Sequence, residues 1–440
     1  MKKIILSFTL SVALYAVFAT AADLPYGLKS GKPYAGTTLE ILSVVTPQFK
    51  GLELRDDEFT ELTGIRLNWT EIPFTELQEK VSSVGIAANG NFDVVNYLDS
   101  WGSANADWFV KLDDLARRDG VDPNRYPDAF IKSATFDNDI KGLPLRAHPQ
   151  LMFYRKDIFD SLGIAAPKSW ADVVDAGKKI QAAGSDVEPL ALYYGADGNR
   201  QNLFVWINFL WTAGERIFDN NMKPAWDTPG ALQATRDYIE LHTKNKITAK
   251  ASVSWVEQEG RAAFQQGKAA MLPVWWWAYS PMLNPEQSVL KKEQVAFTGM
   301  PGYQGKTAVT YAISMPFSIS KYSKNQEASW EFLKWLSNPD LDKKNAIERN
   351  VKGTTIINNV VTHWSSLRDP EVNAANDYIQ QAAALSLAES NIMPQIPEWP
   401  QVGDILSQAI AKAAAGGNVD RIMKDAARQA DRVMKRAGYY

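Results

Sequence analysis

Phe92-Asp93-Val94-Val95-Asn96-Tyr97-Leu98 is an apolar run, and it delivers Asp99-Ser100-Trp101 to its carboxyl end. Its β-branched and aromatic content suits a buried strand. Upstream, Pro73 begins a helix running towards Ala88 and stopped by Asn89-Gly90, and Ile65-Arg66-Leu67-Asn68-Trp69 alternates like a strand. Before these, residues 52–62 suit a helix ended at Gly64, and 39–45 read as a short buried strand. Strands alternating with helices predict a mainly parallel α/β sheet. Ligands of such sheets collect outside the carboxyl ends of the strands. Asp99 and Trp101 are therefore candidate ligand contacts, with a helix cap and a core aromatic as the competing reading.

Further along, Pro144 and Pro149 disfavour helix around Gly142–Tyr154, which predicts an extended crossing. Helical patterns follow at 156–162, 170–183, 204–213 and 228–242, and a second extended crossing is expected around 299–310. Residues 326–336 form an amphipathic helix with Ala328, Phe332, Leu333 and Leu336 on one face. Two helices close the chain, at 402–415 and 419–436, separated by Gly416-Gly417 and capped by Asn418. Internal repeats and low-complexity segments are absent from the sequence.

The first residues point to export. Lys2-Lys3 precede an apolar stretch from Ile4 to Phe18 and a small-x-small site at Ala19-Thr20-Ala21, the pattern of a secretory signal cleaved near Ala21. Removing that segment leaves 45 basic against 50 acidic residues. No basic stripe is present, so a nucleic-acid partner is not expected. With no cysteine, the chain cannot be a cysteine-anchored lipoprotein, and its 440 residues supply a core large enough to dispense with disulfides. A monomeric protein free in a Gram-negative periplasm is the expectation.

Trp275-Trp276-Trp277 cannot all be buried on one packing surface, because successive side chains point apart in a strand and fan out in a helix. At least one should face a cleft, unless the run fills a crowded inter-domain seam. Aromatic faces suit the C–H faces of sugars, while carboxylates and amides fork onto vicinal hydroxyls. Tyr193, Tyr194, Asn199, Gln201, Asn202 and Trp206 form a second polar–aromatic cluster, readable equally as a structural loop and helix start. Arg146 and Arg200 are candidate contacts for a sulfonate or uronate, or else surface salt bridges. No catalytic constellation is recognisable. Gly-x-Ser-x-Gly is absent, and His148, His242 and His363 lack metal-binding spacing, so neither metal nor cofactor is expected. A secreted carbohydrate-active enzyme needs two opposed carboxylates, which sequence cannot display.

In order along the chain, Phe59–Ile65, Phe92–Val95 with Asp99 and Trp101, Leu143-Pro144 with Phe153–Asp157 and Pro167–Trp170, Phe264 with Gly267–Met271 and the tryptophans, Ala328–Leu333, and Met393–Trp399 with Gly416-Gly417 make a pattern. It resembles the bacterial extracellular solute-binding proteins of carbohydrate ABC transporters, the family that includes maltose-binding protein. The resemblance implies an α/β fold of two lobes joined by three crossings, with the ligand in the cleft and hinge closure for delivery to inner-membrane permease subunits. Lobe one would comprise 37–146 and 309–344, and lobe two 149–306 and 346–440. Thr46 and Gln48 fall where maltose-binding members carry an Asp–Lys pair, and His148 where they carry a contacting glutamate, so the contact chemistry is not maltose-like. Tyr311 and Trp399 complete the candidate set, and among the three tryptophans Trp276 and Trp277 lie nearest the family's stacking position. Binding without turnover of a sugar, polyol, glycoside or short oligosaccharide is the expected function. Its rivals are the enzyme above and, within the same fold, a polyamine or ferric-ion binder.

Overall fold

The computed structural model describes residues 24–440 except Ser185, so the signal segment 1–21 lies outside the described residues. Ten strands build two sheets. They are β1 (Thr38–Val44), β2 (Arg66–Ile72), β3 (Val94–Asn96), β4 (His148–Arg155), β5 (Glu188–Leu190), β6 (Ala269–Trp275), β7 (Val295–Gly299), β8 (Thr310–Ile313), β9 (Phe317–Ile319) and β10 (Ser390–Asn391). The first sheet has the order β9-β3-β1-β2, parallel except for β9. The second has the order β10-β8-β4-β6-β5, with β7 also paired to β4.

Sequence-level expectations hold best where periodicity and caps agree. The helix predicted at 326–336 spans Gln326–Leu336, and Thr228 caps the helix Pro229–Thr243 through the Ala231 N–H at 3.1 Å. The single helix expected over 52–62 is two, Pro47–Glu53 and Asp56–Thr63, the second ended by Gly64 in a left-handed conformation (φ 73°). Lobe one packs Phe59, Trp69, Phe317, Phe332 and Trp335 as a cluster of edge-to-face and tilted pairs with centroids 5.4–6.4 Å apart. In lobe two the helix Leu203–Ala213 is apolar on nearly every side and is buried accordingly.

Close packing also governs small residues. A Cβ on Gly85 would fall 1.5 Å from the Trp108 ring. Gly85→Ala is therefore expected to destabilise lobe one by about 1–3 kcal/mol despite alanine's better helix propensity. A denaturant midpoint equal to the parent's would show that Trp108 swings aside freely.

Two chain crossings run side by side. Residues 144–147 carry the chain out of lobe one, and 314–316 carry it back. The Met315 N–H donates to the Leu145 carbonyl at 3.1 Å, and Leu143 bridges Phe317. The second crossing thus lies beyond the expected 299–310. Residues 302–309 stay on lobe two because the Trp170 N–H bonds the Gly302 carbonyl (2.9 Å) and the Val309 N–H bonds Thr212 Oγ1 (2.9 Å). Accordingly β8, placed in lobe one by the boundary at 309, pairs with β4 of lobe two, and lobe one resumes only at β9. The third connection leaves the helix Pro339–Ile347, which packs on Pro47–Glu53, and reaches the helix Ile379–Ala388 beneath β4 and β7.

Candidate functional site

Between the lobes lies a cleft of about 1180 Å³, lined on one side by the carboxyl ends of β1 and β2. On its lobe-one wall, Thr46 adopts an extended conformation and accepts the Phe49 N–H at 3.1 Å, starting the helix Pro47–Glu53. Gln48 follows, 3% exposed, with Oε1 unpartnered. Glu71 and Phe74 continue the wall, and burial raises the Glu71 pKa.

The two crossings make part of the lining. Leu143 faces Phe317 while His148 faces Ile313, so one strand holds an extra residue, a β-bulge. Arg146 lies in that bulge with φ 43°, a left-handed conformation unusual for arginine. Its guanidinium lies 5.5 Å from the Trp277 centroid, and one N–H points to Met315 Sδ at 3.1 Å. Burial pulls its pKa down to about 10, opposed by the Glu257 charge.

His148 is fully buried yet lines the cleft. The Trp276 indole N–H is shared between the Ala147 carbonyl (2.9 Å) and His148 Nδ1 (3.0 Å). An indole nitrogen only donates, so Nδ1 accepts and a neutral His148 carries its proton on Nε2, which has no partner. Burial first, and Arg146 second, hold its pKa well below the usual histidine range. In this state His148 carries one unpartnered N–H donor at the cleft wall and no charge. The sign of the pH effect follows. Its contribution to stability is complete above the unfolded value near 6.5 and is lost as pH falls from there towards the folded value. That amounts to about 1.4 kcal/mol per pH unit at most. Denaturant midpoints of parent and His148→Gln between pH 7 and 5 should therefore converge as pH falls; parallel curves would contradict a depressed His148.

Lobe two supplies aromatic rings. Trp275 meets Phe204 and Tyr311 edge-on at 5.2 and 5.4 Å, and it lines the cleft with Trp277. Arg261 also lies over Trp277, 5.2 Å from the centroid, and its Nε is 3.7 Å from Glu257 one helical turn earlier. Burial raises the Glu257 pKa against the pull of Arg261 and then Arg146. Gln201 joins the wall: its Oε1 accepts the Glu257 N–H (3.0 Å), and its own N–H donates to Asp197 (2.9 Å).

Of the twelve candidate residues, Thr46, Gln48, His148, Gln201, Trp275 and Trp277 are brought together on the cleft. The other six lie outside its lining. Asp99 is fully buried, with Oδ1 on the Ser100 N–H (2.7 Å), and burial raises its pKa strongly. Tyr311, also fully buried, sets its hydroxyl against the Asp99 carboxyl, and its pKa is raised by burial and then by Asp99. Trp101 packs edge-on against Tyr97 at 6.3 Å, the core-aromatic alternative. The Asn202 amide is consumed by the Tyr194 and Ser407 carbonyls (3.0 and 2.9 Å) and the Ser407 hydroxyl (2.7 Å). Trp276 faces the crossing, and Trp399 is buried beside Gly403. Strand alternation explains the tryptophans: Trp275 ends β6 and the 3₁₀ turn Trp276–Ala278 sends the next ring to the opposite side.

Arg200 and Arg146 separate as well. Arg200 pairs with Asp404 (2.9 Å) and the Pro400 carbonyl (3.3 Å), a structural tie. Arg146 has no carboxylate oxygen within 4.0 Å among the described residues, and the salt-bridge reading fails for it. Sequence reasoning missed Glu257, Arg261 and Phe204. Glu257 and Arg261 carry only an i,i+4 charge signal, which any solvated helix face also shows. Among the described residues, no group of three His, Cys, Asp or Glu side chains could hold a metal ion, and no helix is long and apolar enough to cross a membrane.

Known proteins share this architecture. A Brucella abortus (strain 2308) protein described as a binding protein is 26% identical over 419 residues, 91% of this chain and 93% of the relative. A Sinorhizobium fredii protein, named a probable amino-acid ABC transporter periplasmic-binding protein, is 21% identical over 95% of this chain and 93% of its own. The crystal structure of an Agrobacterium radiobacter K84 ABC transporter solute-binding protein in complex with ribitol superposes with a TM-score of 0.76. It is 23% identical and spans 91% of this chain and 100% of its own. The profile of one family matches residues 46–343, about two-thirds of the chain. The chain belongs to the bacterial extracellular solute-binding proteins.

Proposed function

We propose that this protein captures a carbohydrate or sugar-alcohol solute in the interlobe cleft and delivers it to an ABC permease by hinge closure, without chemical turnover. The observation that carries this reading is the cleft's lining: aromatic Trp275 and Trp277 beside buried, unpartnered polar atoms on Gln48 and His148. Rings accept the C–H faces of a polyhydroxylated ligand, and its hydroxyls satisfy groups that otherwise remain orphaned at about 1–3 kcal/mol each. The ribitol ligand of the Agrobacterium protein, a polyol, fits the same chemistry. We assign ligand contact to Thr46, Gln48, His148, Gln201, Trp275 and Trp277, and support of the hinge and wall to Asp99, Trp101, Asn202, Trp276, Tyr311 and Trp399. The working form is a monomer in the periplasm after cleavage near Ala21, with no nucleic-acid partner.

The test is a thermal-shift panel of monosaccharides, polyols, short oligosaccharides, polyamines and amino acids, followed by calorimetry and small-angle scattering. A ligand held at a hundred times its Kd should add about 2.7 kcal/mol to native stability. It should also reduce the radius of gyration as the lobes close. Stabilisation by amino acids alone would replace the carbohydrate reading, and steady product formation from a bound glycoside would replace binding by catalysis.

A further inference from the structure

We propose that the cleft holds an anion subsite in which Arg146, with Arg261 on the same Trp277 ring, takes the carboxylate of an acidic sugar such as a uronate or aldonate. The inference rests on the carbohydrate reading above and narrows it to a charged subclass. Its first support is an arginine left without its usual partner. Arg55, Arg155 and Arg200, all largely buried, each close on a carboxylate at 2.5–2.9 Å. Arg146 closes on a methionine sulfur and a ring face. Arg146 is half-buried, with its unmatched N–H groups open to the cleft. A sulfur is a weak acceptor, so Arg146 retains most of its five donors for something in the cleft. Their planar fork matches a carboxylate bidentately.

Backbone geometry gives a second support. The bulge at 144–147 and the left-handed φ of 43° place Arg146 where the two crossings meet. A non-glycine residue in that region is strained and is held there by its surroundings, which fixes the direction of the side chain. Here Arg146 lines the cleft together with Arg261 and Trp277.

The pairing of cations is the third support. Two guanidiniums share the Trp277 ring, with centroid distances of 5.5 and 5.2 Å. Glu257, 3.7 Å from Arg261, and Asp197 also line the cleft, but neither comes within 4.0 Å of Arg146. Like charges gathered on one ring repel each other, and a ligand carboxylate beside them offsets that repulsion where a neutral hydroxyl does not.

Matched pairs decide the matter: glucuronate with glucose, galacturonate with galactose, gluconate with glucitol. Calorimetry on the full mature chain at two salt concentrations should find the acid of at least one pair bound about tenfold or more tightly than its neutral partner, with the advantage shrinking as salt rises. Arg146→Gln removes the charge. Arg146→Gly does the same and suits the left-handed backbone, which guards against misfolding. Either should bring the acid-to-neutral ratio close to one. The proposal is overturned if neutral partners bind as tightly as the acids to the parent protein, or if the ratio survives both substitutions. Neutral sugars binding while acids do not would remove the subsite and leave the carbohydrate reading intact. No binding by any saccharide would remove both. The parent's own ratio is read without a variant, so a poorly folding mutant cannot obscure the outcome.

Discussion

Trp276→Ala should lower the stability of the ligand-free protein by about 3–5 kcal/mol, the range for emptying a fully buried large aromatic site. The ring is completely enclosed, and its N–H serves both Ala147 and His148 on the first crossing. Removing it leaves a cavity and two buried acceptors unmatched. Trp276→Phe separates these contributions in part, since it keeps a six-membered ring while losing the N–H and the rest of the indole. About 1–3 kcal/mol is expected for that variant. Chemical denaturation without ligand measures both. A Trp276→Ala midpoint close to the parent's would mean that the ring is not packed as described.

Trp277→Ala should behave in the opposite way. This ring is partly exposed on the cleft, packed against the core on its inner side and covered by two cations. Its loss is expected to weaken ligand binding by about ten- to a hundredfold, the equivalent of 1–3 kcal/mol of stacking, with only a modest change in melting temperature. Calorimetry beside a ligand-free melt reads both quantities. Parent-like affinity in Trp277→Ala would transfer the aromatic platform to Trp275 and Phe204, the other rings on that wall.

The contrast between these neighbours shows where sequence reading stops. Three adjacent indoles announce that one surface cannot bury them all, and that much follows from side-chain direction alone. Which ring faces the ligand depends on where β6 ends and the 3₁₀ turn begins. Boundaries of that kind shift by a residue or two in any local reading, and a shift of one exchanges the buried ring for the exposed one. The second crossing shows the same limit. Its Gly- and Tyr-rich composition was legible, but residues 302–309 are held on lobe two by hydrogen bonds to residues about 100–130 positions away in the chain.

By itself the sequence determined the α/β alternation, the helices with clear caps and the family, because each of these is written in local periodicity or in ordered motifs. The tertiary structure alone decided which polar groups are free to act. Asn202 and Arg200 look as available as Gln48 and Arg146 in the sequence. Partners some 200 residues away, Ser407 and Asp404, saturate the first two and leave the second two open to the cleft. A side chain's chemistry is a local property, but whether its hydrogen bonds are already made is settled only when distant segments pack against it.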